Sequence, residues 1–251
     1  MPENKTYSFE TIGIIRSCFK EKFGIPRQAG LVSRARARLE IFSPYGREEA
    51  FRGIEEFSHL WILFVFHAAR RGDRKTGNTW KSTVRPPRLG GNQRIGVFAS
   101  RSGFRPNPIG ISAVKLEKTE RIRKTLTLYL KGGDFLDGTP VLDIKPYLPY
   151  ADSIPAALGG FAPVPPETFA VDFSPGALEI CIRKEKEIRH LRDFIVEMLQ
   201  TDPRPAYYSR KSGKKIFASR VYDMDIRWEA EQNRIRVSEI RELQNEGVSF
   251  V

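Results

Sequence analysis

The stretch LWILFVFH at residues 60–67 is the longest apolar run in the chain. It is too short for an ordinary helix and rich in residues that favour β-structure, so it predicts a central, buried strand. It is also far shorter than a membrane-spanning segment. His67 ends this strand, where a following loop would open a pocket. We therefore expect a sheet-based fold whose central strand leads into a candidate site.

Further strands are predicted on both sides of this run. Alternation over residues 35–42 predicts a half-buried strand with Ala37, Leu39 and Ile41 on its inner face. Other strands are predicted at residues 6–16, 95–100, 111–118, 122–131 and 141–144. A doubly wound parallel sheet would need a helix after nearly every strand, and no long helix is indicated between these. The pattern favours a mainly β fold with a closed or nearly closed β-barrel.

The composition changes at residues 151–166, which are rich in Ala, Gly and Pro. Such a segment is typical of a linker or a long surface loop. We therefore expect a β-barrel domain over residues 1–150. Residues 151–251 would form the linker and a small C-terminal α+β domain.

One helix and one hairpin are predicted in the C-terminal part. Ser174-Pro175 has the sequence of a helix N-terminus, and apolar residues then recur at spacings of three and four as far as Met198. Alternation over residues 214–228 and a turn at residues 231–233 predict a hairpin leading into residues 235–240.

The charge of the chain points to a polyanionic partner. The net charge is +12, from 42 basic and 30 acidic residues, and a protein this basic often binds nucleic acid. Cys18 and Cys181 have no neighbours at metal-ligand spacing, which predicts reduced thiols and no structural metal. The polar residues 1–6 do not have the pattern of a signal peptide. We therefore expect a cytoplasmic protein with no membrane association.

Three stiff, basic loops are the candidate binding sites. Their prolines fix φ, their glycines let the backbone approach a ligand, and their arginines carry forked donors suited to phosphate or carboxylate. The loops are RPPRLGGN at residues 85–92, RSGFRPNPIG at 101–110 and DPRPAY at 202–207. Each could instead be a proline-stiffened turn with solvated arginines. Three such loops in one basic protein favour an anionic ligand.

Asp134 and Asp137 form a pair of carboxylates just after a predicted strand. Asp137-Gly138 has the sequence of a turn. A carboxylate in this position could also hold a cationic group of a ligand.

Taken together, these segments resemble the TsaA-like family, to which the TrmO-type tRNA (adenine-N6)-methyltransferases belong. The similar segments are residues 57–61, 83–92, 96–99, 101–110, 137–140 and 143–147. Runs of this length are far more specific than a short motif. The resemblance implies a β-barrel, S-adenosyl-L-methionine as the cofactor, and a homodimer. It also implies methylation of the exocyclic N6 of threonylcarbamoyl-adenosine beside the anticodon, with threonine tRNAs as substrates.

The resemblance assigns residues to a cofactor site. The implied contacts are Pro26, Arg27, Gln28, His67, Ala68, Arg101, Ile111, Asp134, Phe135, Leu136 and Asp137. Bacterial relatives often carry glutamine at the position of Ala68, so only a backbone contact is expected there. Arg27 or Arg101 could pair with the carboxylate of the cofactor. Asp134 or Asp137 could take its ammonium or its ribose hydroxyls.

A second set of residues is expected to contact the RNA. The candidates are Arg85, Arg88, Arg105, Asn107, Arg204 and Tyr207. Arginines in stiff loops should contact phosphates, while unpaired anticodon bases are read by stacking and hydrogen bonds. The target base should be splayed into the pocket, where Phe104 or Tyr207 could stack on it unless these rings are core. The sequence does not identify a catalytic base.

Two other functions fit parts of the same pattern. A non-catalytic RNA-binding barrel accounts for the charge and the arginine loops, although not for the paired aspartates or residues 26–28. A methyltransferase could also act on a different acceptor, either another base or a small molecule. Affinity for S-adenosylmethionine tests the first alternative, and nucleoside mass spectrometry of tRNA tests the second.

Overall fold

A computed structural model of the protein describes residues 5–69, 80–204 and 215–243. The strands are β1 Gly13–Ser17, β2 Arg36–Ile41, β3 His59–Val65, β4 Thr83–Val84, β5 Ile95–Gly96, β6 Ile109–Ile122, β7 Thr125–Lys131, β8 Thr139–Pro146, β9 Ala170–Phe173, β10 Ile216–Val221, β11 Met224–Glu231 and β12 Arg234–Glu242. The α-helices are α1 Pro149–Asp152, α2 Pro175–Lys184 and α3 Leu191–Gln200. Single 3-10 turns lie at Glu48–Phe51, Ile54–Glu56, His67–Ala69, Pro87–Leu89 and Val97–Ala99.

Six strands close into an antiparallel barrel in the order β1-β2-β7-β6-β3-β8. The apolar run forms β3, which pairs with β6 on one side and β8 on the other. Leu60 and Ile62 of this strand are fully buried. In β2, Ala37, Leu39 and Ile41 face the interior, as their alternation predicts. The prediction of a mainly β fold built on a barrel is confirmed.

The barrel has two unlike ends. At one end, which we call the loop end, strands are joined by residues 18–35, 66–108 and 132–138. At the other, the turn end, β6 and β7 are joined by the two residues Arg123 and Lys124. Arg123 adopts a left-handed φ of 56°, which suits a tight hairpin turn. Because all the implied cofactor residues belong to the loops or strand ends of the loop end, the barrel topology brings them to one side.

A second sheet, ordered β10-β11-β12-β9, packs against α2 and α3 around its own core, in which Trp228 and Ile195 are fully buried. This core also takes Cys18 and Phe19 from the loop between β1 and β2. The Tyr222 amide donates to the Cys18 carbonyl at 2.7 Å. The C-terminal unit therefore packs onto the loop end and fixes one of its loops.

Within the C-terminal unit the predicted single helix is wrong. Ser174 caps α2 as expected, with its hydroxyl 3.2 Å from the Ala177 amide. However, α2 ends at Lys184, and α3 begins only after His190, which has a left-handed φ of 61°. Both helices turn an apolar face to the same core, so the apolar spacing continues across the break although the helix axis does not.

The predicted strands were also too long in three places. Residues 214–228 were expected to share one alternating face, but Tyr222 turns the chain with a φ of 51° between β10 and β11. The alternation of apolar and polar residues in the sequence continues through this turn, but the turn changes which set of residues faces the core. Ile216 therefore lies on the outer face of β10 and is 64% exposed. The strand expected at 95–100 stops at Gly96, where the 3-10 turn begins. The strand expected at residues 6–16 begins only at Gly13.

Cys18 and Cys181 are free thiols with fully buried side chains. Burial raises the pKa of each thiol to about 12, so both stay protonated and weakly reactive at neutral pH. Across the three described ranges, no helix combines the length and apolarity needed to cross a bilayer.

Candidate functional site

Three loops of the loop end meet in a polar network. Gln28 comes from the loop after β1, Arg101 from the segment between β3 and β6, and Asp134 from the loop after β7. Arg101 Nη1 donates to Gln28 Oε1. The Ser112 hydroxyl donates to Asp134 Oδ1 at 2.6 Å. The network thus combines a guanidinium, an amide and a carboxyl group.

Asp134 is the acid of this network, and its pKa is shifted. Burial raises the pKa of its carboxyl group above the ordinary value of 3.8, and the Ser112 hydrogen bond and the charge of Arg101 oppose this shift only in part. A carboxyl group that is costly to ionise in the empty protein gains from a cationic partner or a hydrogen-bond donor. Asp134 is therefore suited to bind a positively charged or hydroxyl-bearing part of a ligand.

The carboxylate of Asp137, by contrast, is bonded to other residues of the fold. Its carboxylate accepts from the Ser17 amide at 2.8 Å and from Lys20 Nζ at 2.9 Å. Its own amide donates to the Phe19 carbonyl at 2.9 Å. Gly138 follows with a φ of 77°, which makes the predicted turn. Asp137 therefore attaches the β7–β8 loop to the end of β1.

The residues beside the two aspartates divide between core and surface. Phe135 is 1% exposed and packs edge to face on Phe64, with 5.1 Å between ring centroids. The Leu136 carbonyl accepts from Thr139 Oγ1 at 2.7 Å. Ile111 of β6 is 56% exposed on the outside of the barrel. Of these three residues, only Ile111 presents its side chain to solvent at the loop end.

His67 begins a 3-10 turn close behind β3. Burial lowers the pKa of its imidazole below the ordinary value of 6.5; the hydrogen bond with the Val65 backbone opposes this shift, and the charge of Lys22 adds to it. The ring is thus neutral at pH 7. Lys22 Nζ also donates to the Ala68 carbonyl, which ties the β1–β2 loop to this turn.

Arg27 and Arg204 connect the barrel to the C-terminal unit. Arg27 Nη2 donates to the carbonyls of Asp202 and Arg204, at 3.3 and 3.0 Å. Arg204 forms a forked pair with Asp202 at 2.7 and 2.8 Å, and its side chain is only 10% exposed. Pro26, just before Arg27, is buried. Tyr207 lies outside the described residues.

A half-open cavity of about 1230 Å³ lies beside the network. Six cationic side chains line it, and no carboxylate is among its described lining residues. The six are Arg27, Lys81, Arg85, Arg88, Arg94 and Arg101. We call this space the basic cavity. Residues 159–166 of the linker form part of its wall, where Arg88 Nη2 donates to the Pro165 carbonyl at 3.2 Å. The cavity suits a large anionic ligand.

The remaining RNA candidates lie outside this lining. Arg105 Nη1 donates to the carbonyls of Val97 and Ser100, at 3.1 and 2.7 Å. Asn107 is exposed, and its carbonyl accepts from the Ile109 amide at 2.7 Å. Arg105 thus stabilises its own loop, whereas the side chain of Asn107 faces solvent.

The sequence reasoning missed four residues of this region: Ser112, Lys81, Arg94 and Phe98. One of them had a usable signal. Ser112 occupies an inward position of β6 between the buried residues Gly110 and Val114. A polar side chain at such a position requires a partner, which here is Asp134. In the described part of the chain, no cluster of His, Cys, Asp and Glu is placed to hold a metal ion.

Comparison with known proteins matches both parts of the chain. The family profile described as "tRNA-methyltransferase O N-terminal domain" matches residues 14–153, and "TrmO C-terminal domain" matches residues 166–243. The tRNA (adenine(37)-N6)-methyltransferase of Escherichia coli K12 is 48% identical over 224 residues, which cover 89% of this chain and 93% of the relative. A putative S-adenosylmethionine-dependent methyltransferase of Pseudomonas aeruginosa is 46% identical, with 89% and 92% covered. A crystal structure of TrmO from the same species superposes with a TM-score of 0.77 at 39% identity, covering 96% of this chain and 100% of that one.

Proposed function

This chain belongs to the tRNA-methyltransferase O family, and on that premise we propose that it is an S-adenosylmethionine-dependent methyltransferase of an adenine N6 in tRNA. The observation that carries the proposal is the extent of the likeness, which covers 93% of a relative named for this reaction. The basic cavity and the adjoining polar network provide sites for the two substrates.

The donor set of the network fits the amino-acid end of the cofactor. Arg101 offers a guanidinium for a carboxylate, and Asp134 offers a half-buried carboxyl group for an ammonium or a ribose hydroxyl. S-adenosylmethionine, when bound, supplies the methyl group. The chain's part is to bind, orient and desolvate the reactants, because orientation alone can contribute roughly 7–11 kcal/mol to lowering a barrier.

We propose two kinds of cofactor contact among the residues implied by the resemblance. Side-chain contacts are assigned to those whose polar or exposed groups face the loop end: Arg27, Gln28, His67, Arg101, Ile111 and Asp134. Backbone contacts are assigned to those whose side chains are apolar or already engaged: Pro26, Ala68, Phe135, Leu136 and Asp137.

For the RNA, we propose that the basic cavity receives the modified base and its neighbouring phosphates. Arg85, Arg88 and Asn107 are exposed and would contact it directly, and Arg88 would do so while also donating to the Pro165 carbonyl of the linker. Arg105 and Arg204 are engaged within the protein and would act by holding their loops. A threonylcarbamoyl-adenosine carries a carboxylate, which suits a cavity whose charged lining groups, among the residues that the structure describes, are all cations. The substrates would then be threonine tRNAs, bound through the anticodon stem-loop.

Three further assignments belong to this proposal. The cofactor-binding barrel would comprise residues 1–150, and residues 151–251 the linker and C-terminal domain. The active protein would be a cytoplasmic homodimer. Arg204 and Tyr207 would lie near the partner's cofactor, so that each RNA site draws on both chains.

A specific observation argues against a purely RNA-binding role. Asp134 is a half-buried acid whose pKa is raised by desolvation, with the charge of Arg101 acting on it. RNA binding needs no desolvated carboxyl group, since a negative charge repels phosphates. Calorimetry separates the two functions, because a binding module without catalysis should show no heat with S-adenosylmethionine.

The proposed function is tested by nucleoside mass spectrometry of tRNA from a strain lacking this protein. We expect unmethylated threonylcarbamoyl-adenosine to accumulate and the methylated form to return with the wild-type chain. The Arg101→Ala chain should restore it poorly. An unchanged nucleoside profile in the deletion strain would overturn the proposed acceptor, and a change in another nucleoside would reassign it.

A further inference from the structure

Phe98 is an aromatic side chain that the assignments above leave unexplained. It lies on the 3-10 turn Val97–Ala99, lines the basic cavity and is 71% exposed. Its neighbour Val97 is 1% exposed. The turn is therefore anchored by one residue and presents the next one to solvent, at a cost in exposed apolar area that the fold does not require.

The turn that carries Phe98 is held rigidly. The Val97 carbonyl accepts from the Ser100 amide at 3.1 Å, the Ser100 hydroxyl at 2.8 Å and Arg105 Nη1 at 3.1 Å. The Val97 amide donates to the Ser82 carbonyl at 2.9 Å. Arg105 also lies against the Phe98 ring, with its guanidinium carbon 5.3 Å from the centroid. The backbone that carries the ring is thus braced by hydrogen bonds, and Arg105 packs against the ring itself.

The surroundings of the ring determine which ligand it suits. Arg85, Arg94 and Arg101 line the same cavity, as do the rings of Phe104 and Phe161. An exposed aromatic ring among cations matches single-stranded nucleic acid, whose bases stack while its phosphates pair with arginines. An apolar small molecule would not need the cations, and a simple anion would not need the ring.

We propose that Phe98 is a stacking platform for an unpaired nucleobase of the anticodon loop, and that Arg105 is the residue that positions it. This inference rests on the proposed function and adds an RNA-binding contact to it. Stacking tolerates any base, so the contact adds affinity and holds the loop open while the target adenine occupies the cavity.

The test compares Phe98→Ala with Phe98→Trp, using an anticodon stem-loop that carries 2-aminopurine beside the target position. We expect Phe98→Ala to weaken RNA binding by about 5- to 100-fold and to abolish the quenching of 2-aminopurine fluorescence. Phe98→Trp should retain both. Because stacking releases no counterions, the salt dependence of binding should be the same in all three proteins. Arg85→Ala is the matched control and should lower the log–log slope by about 0.7.

The role of Arg105 is tested by a double-mutant cycle. If Arg105 acts through Phe98, Arg105→Ala should weaken RNA binding, and the double variant should bind no more weakly than Phe98→Ala alone. Additive losses would show that Arg105 has a separate role and would overturn the positioning assignment. Affinity for S-adenosylmethionine should not change in any of these variants.

Other outcomes overturn the inference for Phe98. Unchanged RNA affinity and quenching in Phe98→Ala would show that no base stacks there. A change in oligomeric state in that variant would show that the ring packs on a second copy of the chain. Methylation by the wild-type protein is measured in parallel. If the wild type methylates tRNA normally, such results overturn this inference alone, whereas absence of wild-type methylation would overturn the proposed function.

Discussion

The loop end and the turn end of the barrel are built from the same six strands, but each end holds one carboxyl group whose pKa is shifted in the opposite direction. At the turn end, Glu55 accepts from the Thr119 hydroxyl and amide, and these hydrogen bonds lower the pKa of its carboxyl group. Lys118 and Glu120 pair at 2.8 Å. At the loop end, burial raises the pKa of Asp134. Charges that satisfy one another stabilise a fold, whereas an acid held in an unfavourable environment indicates a place for a ligand.

Mutations at the two ends should therefore fail in different ways. A change at the turn end should alter at most the stability of the fold. A change at the loop end to a group that we propose for ligand binding should alter the affinity for that ligand.

Phe135→Ala tests whether a residue of the loop end can still be purely structural. The ring lies in the barrel core against Phe64, so its loss should cost about 3–5 kcal/mol of the free energy of unfolding. Urea denaturation measures the effect, and Phe135→Leu should recover much of it. Normal stability together with lost cofactor affinity would instead make the Phe135 side chain a cofactor contact.

Arg101→Ala should weaken binding of S-adenosylmethionine by about 1.5–3 kcal/mol, the range for a hydrogen bond to a charged group. The matched control is Arg121→Ala at the turn end, where Arg121 donates to the Gly46 carbonyl at 3.0 Å. Calorimetry should show no change in cofactor affinity for the control. Equal losses in both variants would indicate a general effect on the fold and remove the distinction between the two ends.

Asp137→Asn should act on stability rather than on the cofactor. Its carboxylate accepts from the Ser17 amide and pairs with Lys20, so the variant should lose about 1–3 kcal/mol of unfolding free energy. Asp134→Asn should instead weaken binding of the cofactor without a loss of stability. Thermal unfolding and calorimetry on both variants measure the contrast. If Asp137→Asn weakens cofactor binding without a loss of stability, Asp137 is a cofactor contact and its structural assignment is wrong.

A smaller effect should appear in the pH dependence of stability. Burial raises the pKa of Asp134 in the folded state. Its favourable contribution to the free energy of unfolding is therefore present below its ordinary pKa of 3.8 and is lost as the pH rises through the raised pKa. Asp134→Asn should therefore gain stability relative to the wild type as the pH increases above 3.8.

Glu55 at the turn end should show the opposite sign. Its pKa is lowered, so its contribution is present above its ordinary value of 4.5 and is lost as the pH falls through the lowered pKa. Glu55→Gln should consequently lose stability relative to the wild type as the pH rises through this range. Denaturant titrations at a series of pH values measure both variants, and parallel curves for the two would contradict the comparison.

The sequence predicted the barrel because strand alternation is a local property. Ala37, Leu39 and Ile41 face inward as their spacing of two requires. The sequence did not predict the break before α3, because the apolar pattern continues without interruption across His190, which adopts a left-handed conformation. Periodicity records which residues face a core and not where the chain changes direction.

The site was predictable only at the level of loops. Two of the three arginine- and proline-rich segments, residues 85–92 and 101–110, contribute to the basic cavity. The sequence, however, does not distinguish Asp134 from Asp137. Only the tertiary partners Ser112 and Lys20 distinguish the acid that we propose for the ligand from the structural one. Phe98 carried no signal, because an exposed ring and a core ring have the same sequence pattern.

Whether the loop end catalyses methylation of tRNA is tested most directly by methyl transfer with the purified protein, from radiolabelled S-adenosylmethionine to threonine tRNA. The label should appear on the N6 of threonylcarbamoyl-adenosine with the wild type and with Arg121→Ala at the turn end. It should fall sharply with Arg101→Ala at the loop end. Labelling of a different nucleoside, or equal activity of the two arginine variants, would contradict the assignment of catalysis to the loop end.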